Sequence, residues 1–125
     1  MWKVRGIRGA TTASANERAA VLSATEELLR AMMEANGVDP EDLAAVQFTT
    51  SPDLDAEFPA VAARERLGWR FVPLLNSHEM AVPHAQQRCI RVLMLWNTEK
   101  TQRDVRHVYL RDAVNLRQDL TAASQ

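Results

Sequence analysis

Arg91 is the side chain whose position most demands a chemical explanation. It lies in Ile90-Arg91-Val92-Leu93-Met94-Leu95-Trp96, the most apolar stretch of a 125-residue chain. A two-residue period places Ile90, Val92, Met94 and Trp96 on one face, and Arg91 with Leu93 and Leu95 on the other. A guanidinium there is costly unless it is paired, reaches water past the strand end, or holds a ligand. Arg8 raises the same question. Gly6 and Gly9 bracket Ile7-Arg8, and Arg8 shares its parity with Trp2 and Val4, which turns it toward the expected apolar side. A strand-end salt bridge or a bound anion would satisfy it. Tyr109 alternates with Val108 and Leu110, as a core, interface or ligand-facing phenol would. Glu79 sits in a loop, where an acid is either solvated or part of a site. Arg64 and Arg117, each taken alone, read as solvated. Several arginines with one acid and one phenol can grip and polarise a small polyanion. They form no nucleophile–base pair and no redox centre.

Composition narrows the partner. The chain carries 15 basic and 16 acidic residues, a net charge of −1, with only Lys3 and Lys100 as lysines. Near-neutrality argues against a nucleic-acid binder working through bulk charge. Residues 1–60 hold five basic and ten acidic groups, residues 61–125 ten and six, so the positive half is the second. Cys89 is the only cysteine, which excludes an intramolecular disulfide and a thiolate zinc site. Its spacing suits a small buried residue at a strand start. His78, His84 and His107 lack metal-ligand spacing, and no metal is expected. GIRGATT matches no phosphate-binding glycine loop. The N-terminus has no signal-like apolar region and no run approaches a membrane span, so a cytoplasmic protein with no membrane partner is expected.

The elements that must position these residues follow from periodicity. Met1 to Gly9 alternates as a strand. Ser14-x-x-Glu17 reads as a capping box opening the longest helix. Val21, Thr25, Leu28 and Met32 share its buried face, Leu22, Leu29 and Met33 widen it, and Gly37 closes it. Asp39-Pro40-Glu41 caps one short turn. Leu43–Thr50 is a second strand. Phe58-Pro59 starts a short helix ending near Gly68. Arg70–Leu75 reads as a third strand, at a sheet edge or bulge because Pro73 removes one ladder donor, and Asn76–Gln87 as a polar connection. Ile90–Trp96 reads as a central strand buried on both faces, and Arg106–Arg111 as the last. The expectation is an α/β (α+β) domain: a mixed five-stranded sheet with one long and one or two short helices on one face. Residues 1–120 form the domain and 121–125 a polar tail.

Taken together, RGIRGATT (5–12), SPDLDAEFPAVAARERLGW (51–69), VPLLNSHEM (72–80), CIRVLMLWNT (89–98) and RHVYLRDAVNLRQDL (106–120) resemble the AroH class of chorismate mutases, the small Bacillus-type enzymes. The segments run in family order across nearly the whole chain. The resemblance implies a homotrimer whose sheets form a pseudo-barrel (an architecture also seen in RidA-like proteins), with active sites between subunits. It implies isomerisation of chorismate to prephenate by a Claisen rearrangement, at the branch toward phenylalanine and tyrosine, with no cofactor. Carried over, Arg8 would hold a substrate carboxylate, and Arg91 a carboxylate and the ether oxygen. Glu79 would accept from the ring hydroxyl, aided by the backbone at Asn76, and Tyr109 would line the pocket. Phe58, Ala60 and Arg64 would come from the neighbouring subunit, with Leu74 on the wall. Leu116 and Arg117 would close over the ligand. Asn76 stands where the family commonly has Cys, and Val61 where the Bacillus type has Lys. Rival readings are a non-catalytic trimeric carboxylate-binding module and a RidA-type imine deaminase.

Overall fold

The computed structural model describes residues 1–116. Arg117, the domain boundary expected at residue 120 and the tail lie outside them. The elements run β1 (Lys3–Thr12), α1 (Arg18–Asn36), a 3₁₀ turn (Pro40–Asp42), β2 (Leu43–Thr50), α2 (Ala60–Leu67), β3 (Leu74–His78), β4 (Cys89–Thr98), a 3₁₀ turn (Gln102–Asp104), β5 (Val108–Tyr109) and a closing 3₁₀ turn (Arg111–Asn115). The sheet order is β3-β2-β4-β1-β5. β4 lies antiparallel between β1 and β2, while β3 runs parallel to β2 and β5 parallel to β1. The expected mixed five-stranded sheet is what forms. No helix among the described residues is long and apolar enough to cross a membrane.

The core sits on one side of this sheet. Ile7, Val46, Phe48, Val92, Met94 and Trp96 pack there against Leu28, Leu29 and Met32 of α1 and Ala60 and Ala63 of α2. Each strand alternates, so the intervening residues face away from the helices. Gly9 lets α1 close onto β1, because a Cβ there would collide with the Met32 thioether. Gly37 and Gly68 end the two helices in the left-handed conformation, both at φ 69.

Six expectations need correction. The first strand runs Lys3–Thr12, past its expected end at Gly9, because Ala10, Thr11 and Thr12 pair with Arg91, Ile90 and Cys89 of β4. Ser14 and Glu17 form no capping box: Glu17 is itself the N-cap and makes no side-chain bond. The lead-in is held instead by Asn16, which bonds Asp55 and the backbone of Ala56. The third strand is Leu74–His78, not Arg70–Leu75, because pairing with β2 begins only where Val46 N–H meets the Pro73 carbonyl. The polar connection shortens accordingly. β4 is central but not buried on both faces; Leu93 and Leu95 are each 36% exposed. Trp2, Val4 and Arg8 do share a face, but it is this same open one, since the helices cover the Ile7 and Gly9 side. The last strand has only two residues, because the chain turns away at Arg111, a non-glycine residue at φ 51.

Candidate active site

The open face of the sheet gathers Arg8, Glu79, Arg91 and Tyr109. Register places Arg91 between Ala10 of β1 and Thr49 of β2. Tyr109 lies beyond Ala10 on β5. Two strand spacings separate Arg91 from Tyr109, about 10 Å of backbone, and the small Ala10 keeps the floor between them low. Arg8 stands one pleat along, opposite Leu93. Its backbone N–H donates to His107 Nδ1 at 2.9 Å, which ties β1 to the segment entering β5. Glu79 follows β3 directly; its N–H donates to the Thr50 carbonyl at 2.7 Å and extends the parallel pairing. Its Oε1 accepts from Met80 N–H at 2.9 Å. Arg8, Glu79, Arg91 and Tyr109, with Gln47 and Thr49, line one cleft of about 410 Å³.

The charge in this cleft is not balanced internally. Arg18, Arg30, Arg66 and Arg111 all pair with glutamates at 2.9–3.2 Å. Neither Arg8 nor Arg91 has a carboxylate within ion-pair distance among the described residues. The polar neighbour of Arg91 is the Cys89 thiol. Burial pushes that thiol up from its ordinary pKa, and the guanidinium pulls only partly the other way. Cys89 is therefore the small buried residue expected at the start of β4. Two guanidiniums without a carboxylate partner, lining one cleft, suit an anion with more than one carboxylate.

The remaining candidates lie elsewhere. Phe58, which is 63% exposed, and Asn76 line a second cleft of about 380 Å³ along the edge formed by β3 and the lead-in to α2. The two clefts share no residue. Asn76 points to the helix side of β3, and its Oδ1 accepts from Ala60 N–H at 3.1 Å. It thus caps α2, whose own N-cap, Pro59, contributes no side-chain bond. Ala60 is fully buried and Leu74 half-buried against the core. Arg64 is exposed on α2 and lines neither cleft. Leu116 ends the closing turn, its N–H donating to Ala113. Gln47 and Thr49 were not anticipated. Their signal is the alternation of β2, legible once Val46 and Phe48 are assigned to the core.

The model of the family described as chorismate mutase type I matches residues 4–120. The chain belongs to that family. It is 54% identical to chorismate mutase AroH of Thermus thermophilus over 121 residues, 96% of this chain and 98% of that protein. It is 43% identical to chorismate mutase AroH of Bacillus subtilis over 118 residues, 94% of this chain and 93% of that one. A chorismate mutase structure from Clostridium thermocellum superposes with a TM-score of 0.84 at 44% identity, covering 86% of this chain and 96% of that one. The fold is thus a type I chorismate mutase fold, and the chain is an isomerase of that family. Membership favours neither the binding-module nor the deaminase reading.

Proposed function

We propose that this protein isomerises chorismate to prephenate in sites shared between the subunits of a cytoplasmic homotrimer. The observation that carries the reading is the pair of unpaired guanidiniums, Arg8 and Arg91, in one cleft with Glu79 and Tyr109. The rearrangement is pericyclic: no proton moves and no covalent intermediate forms, in keeping with a site that needs no nucleophile. The enolpyruvyl side chain must fold over the ring into a chair-like geometry. Arginines that hold both carboxylates favour that fold and remove much of its entropic barrier. Cleavage of the C–O bond runs ahead of C–C formation, so negative charge gathers on the ether oxygen. Arg91 stabilises that charge more in the transition state than in the substrate. Glu79 accepts from the ring hydroxyl, and Tyr109 lines the carboxylate pocket beside Arg8.

The second cleft supplies the other wall. Phe58 of one subunit would face Arg91 of the next, with Ala60, Leu74 and the backbone of Asn76 behind it, and Arg64, exposed on α2 outside that cleft, would reach the ligand from the same subunit. Exposed Trp2, Val4, Leu75, Leu93 and Leu95 support this assembly, since a monomer would leave that apolar face in water. Leu116 would lie at the mouth, while the expected role of Arg117 and the domain end at residue 120 fall outside the described residues. The test follows loss of chorismate absorbance with purified protein. Acceleration over buffer that collapses in Arg91→Ala is expected; no acceleration by the unsubstituted chain overturns the reading.

A further inference from the structure

The turn Ser51-Pro52-Asp53-Leu54 takes no part in the reaction as proposed, yet it ties together the strands that carry Arg91 and Glu79. β4 starts at Cys89, directly after Arg88, which adopts φ 48. Few non-glycine residues hold that conformation unless their surroundings impose it. The Arg88 carbonyl accepts from Ala13 N–H at 2.8 Å, and the turn supplies the rest of the constraint. Ser51 N–H donates to the Cys89 carbonyl at 2.9 Å, and Cys89 N–H donates back to Ser51 Oγ at 2.9 Å. Asp53 Oδ2 accepts from Arg88 N–H at 2.9 Å. The Ser51 hydroxyl in turn donates to the Asp53 carboxylate. Every polar backbone group at the start of β4 that faces this turn is therefore occupied.

The same turn grips β3. His78 Nε2 bonds the Leu54 carbonyl at 3.1 Å, and Thr50 Oγ1 donates to that carbonyl at 3.4 Å. Leu54 itself is buried beside Ala13, Val21 and Ile90. Thus one four-residue turn pins both ends of the connection from Glu79 to Arg88. Asp53, Glu79, Cys89 and Arg91 all border the hollow of about 320 Å³ that this connection covers.

Arg91 lies two residues beyond Cys89, so it inherits the direction in which β4 sets out. We infer that Asp53, acting with Ser51, is a positioning residue that aims the Arg91 guanidinium, an inference resting on the mutase reading above. Its carboxylate holds Arg88 in the left-handed conformation and so sets the start of β4. Without it the strand begins at a different angle, and the guanidinium meets the reacting oxygen off line.

The experiment measures kcat and KM for Asp53→Ala, Asp53→Asn and Ser51→Ala, each alone and combined with Arg91→Lys, with a thermal unfolding midpoint for every protein. Asp53→Ala should lower kcat by about 10- to 100-fold, the cost of an ångström-scale misplacement, and leave KM nearly unchanged. Asp53→Asn keeps an acceptor for Arg88 N–H and should recover most of the rate. In the Arg91→Lys background the loss should shrink, because the group being aimed is gone. An unchanged kcat in Asp53→Ala, or an equal loss in both backgrounds, overturns the inference. Should Asp53→Ala not fold, Ser51→Ala answers the same question, since it frees Cys89 N–H while keeping the carboxylate. An inactive unsubstituted chain would instead bring down the mutase reading, and the role of the turn with it.

Discussion

Arg91 and Arg8 share a cleft but should fail differently when removed. The proposed contact of Arg91 is with charge that exists fully only in the transition state. Arg91→Ala should therefore lower kcat by about 10²–10³, some 3–4 kcal/mol of barrier, with a smaller change in KM. Arg8 would grip a carboxylate present in substrate and transition state alike, so Arg8→Ala should raise KM as well as lower kcat. Steady-state kinetics separate the two; an Arg91→Ala defect confined to KM would mean uniform binding and refute its role. The positions of these arginines were legible for a physical reason. A charge on the parity of Leu93 and Leu95 conflicts with its neighbours, and conflicts of that kind point to function. Glu79 presents no such conflict, because an acid in a polar loop violates nothing, and only its resemblance to a family motif singled it out. Gln47 and Thr49 were missed because a polar residue alternating with Val46 and Phe48 reads as ordinary solvent-facing strand.

Elements carry the next level of control. Asn76 caps α2 from a different strand, so helix stability and the placement of Phe58 depend on one amide. Asn76→Ala should cost about 0.5–2 kcal/mol, the usual worth of a helix cap, read from denaturant unfolding. It should also raise KM, since Phe58 lies at the freed end. Asn76→Asp keeps the acceptor and should fall between the two, and an Ala variant as stable as the parent would deny the cap. The Asp53 turn predicts a pH effect. Burial, the largest single influence, pushes its carboxyl up, but the Ser51 hydroxyl and the Arg88 backbone together hold it below its ordinary value of 3.8. A depressed carboxyl adds stability above that value and loses it as pH falls through the lower folded value. Asp53→Asn should flatten this acid limb of the stability curve; an identical slope in both proteins would contradict it. Element identity was legible from hydrophobic period, as the match of Leu43–Thr50 with β2 shows. Ends were not. β3 is an edge strand, one of the two alternatives read from Pro73, but Pro73 itself lies before it, and where pairing begins depends on Val46, a residue distant in sequence. Ser14 lost its cap because Asn16 draws the same segment toward Asp55.

At the scale of the whole molecule, the site as proposed draws on two subunits. Arg91 lines one cleft and Phe58 another, and the apolar open face between β1, β4 and β2 has no cover among the described residues. Sequence alternation could not reveal this, because β4 has the composition of a strand buried on both sides, and a second subunit can supply the missing cover as well as a helix can. A closed ring in which each subunit meets the next through unlike surfaces joins the first cleft of one subunit to the second cleft of its neighbour. Such a ring makes a quantitative prediction. Arg91→Ala spoils the sheet-face half of a site, and Arg64→Glu spoils the other half by repelling the dianion. Each variant alone should be nearly inactive. Unfolded together in equal amounts and refolded, they should assemble at random. A site is then intact when its sheet half comes from an Arg64→Glu chain and its other half from an Arg91→Ala chain. That occurs in about one site in four, so roughly a quarter of the parent activity should return if the ring is closed and heterologous. Sites contained within single chains would gain nothing from mixing. Leu95→Asp would sharpen the result, since a charge on the open face should lower the mass found by light scattering and the activity together. A monomeric Leu95→Asp variant with full activity would show that the second cleft is not needed, and would sink the shared site even if the parent chain is an efficient mutase.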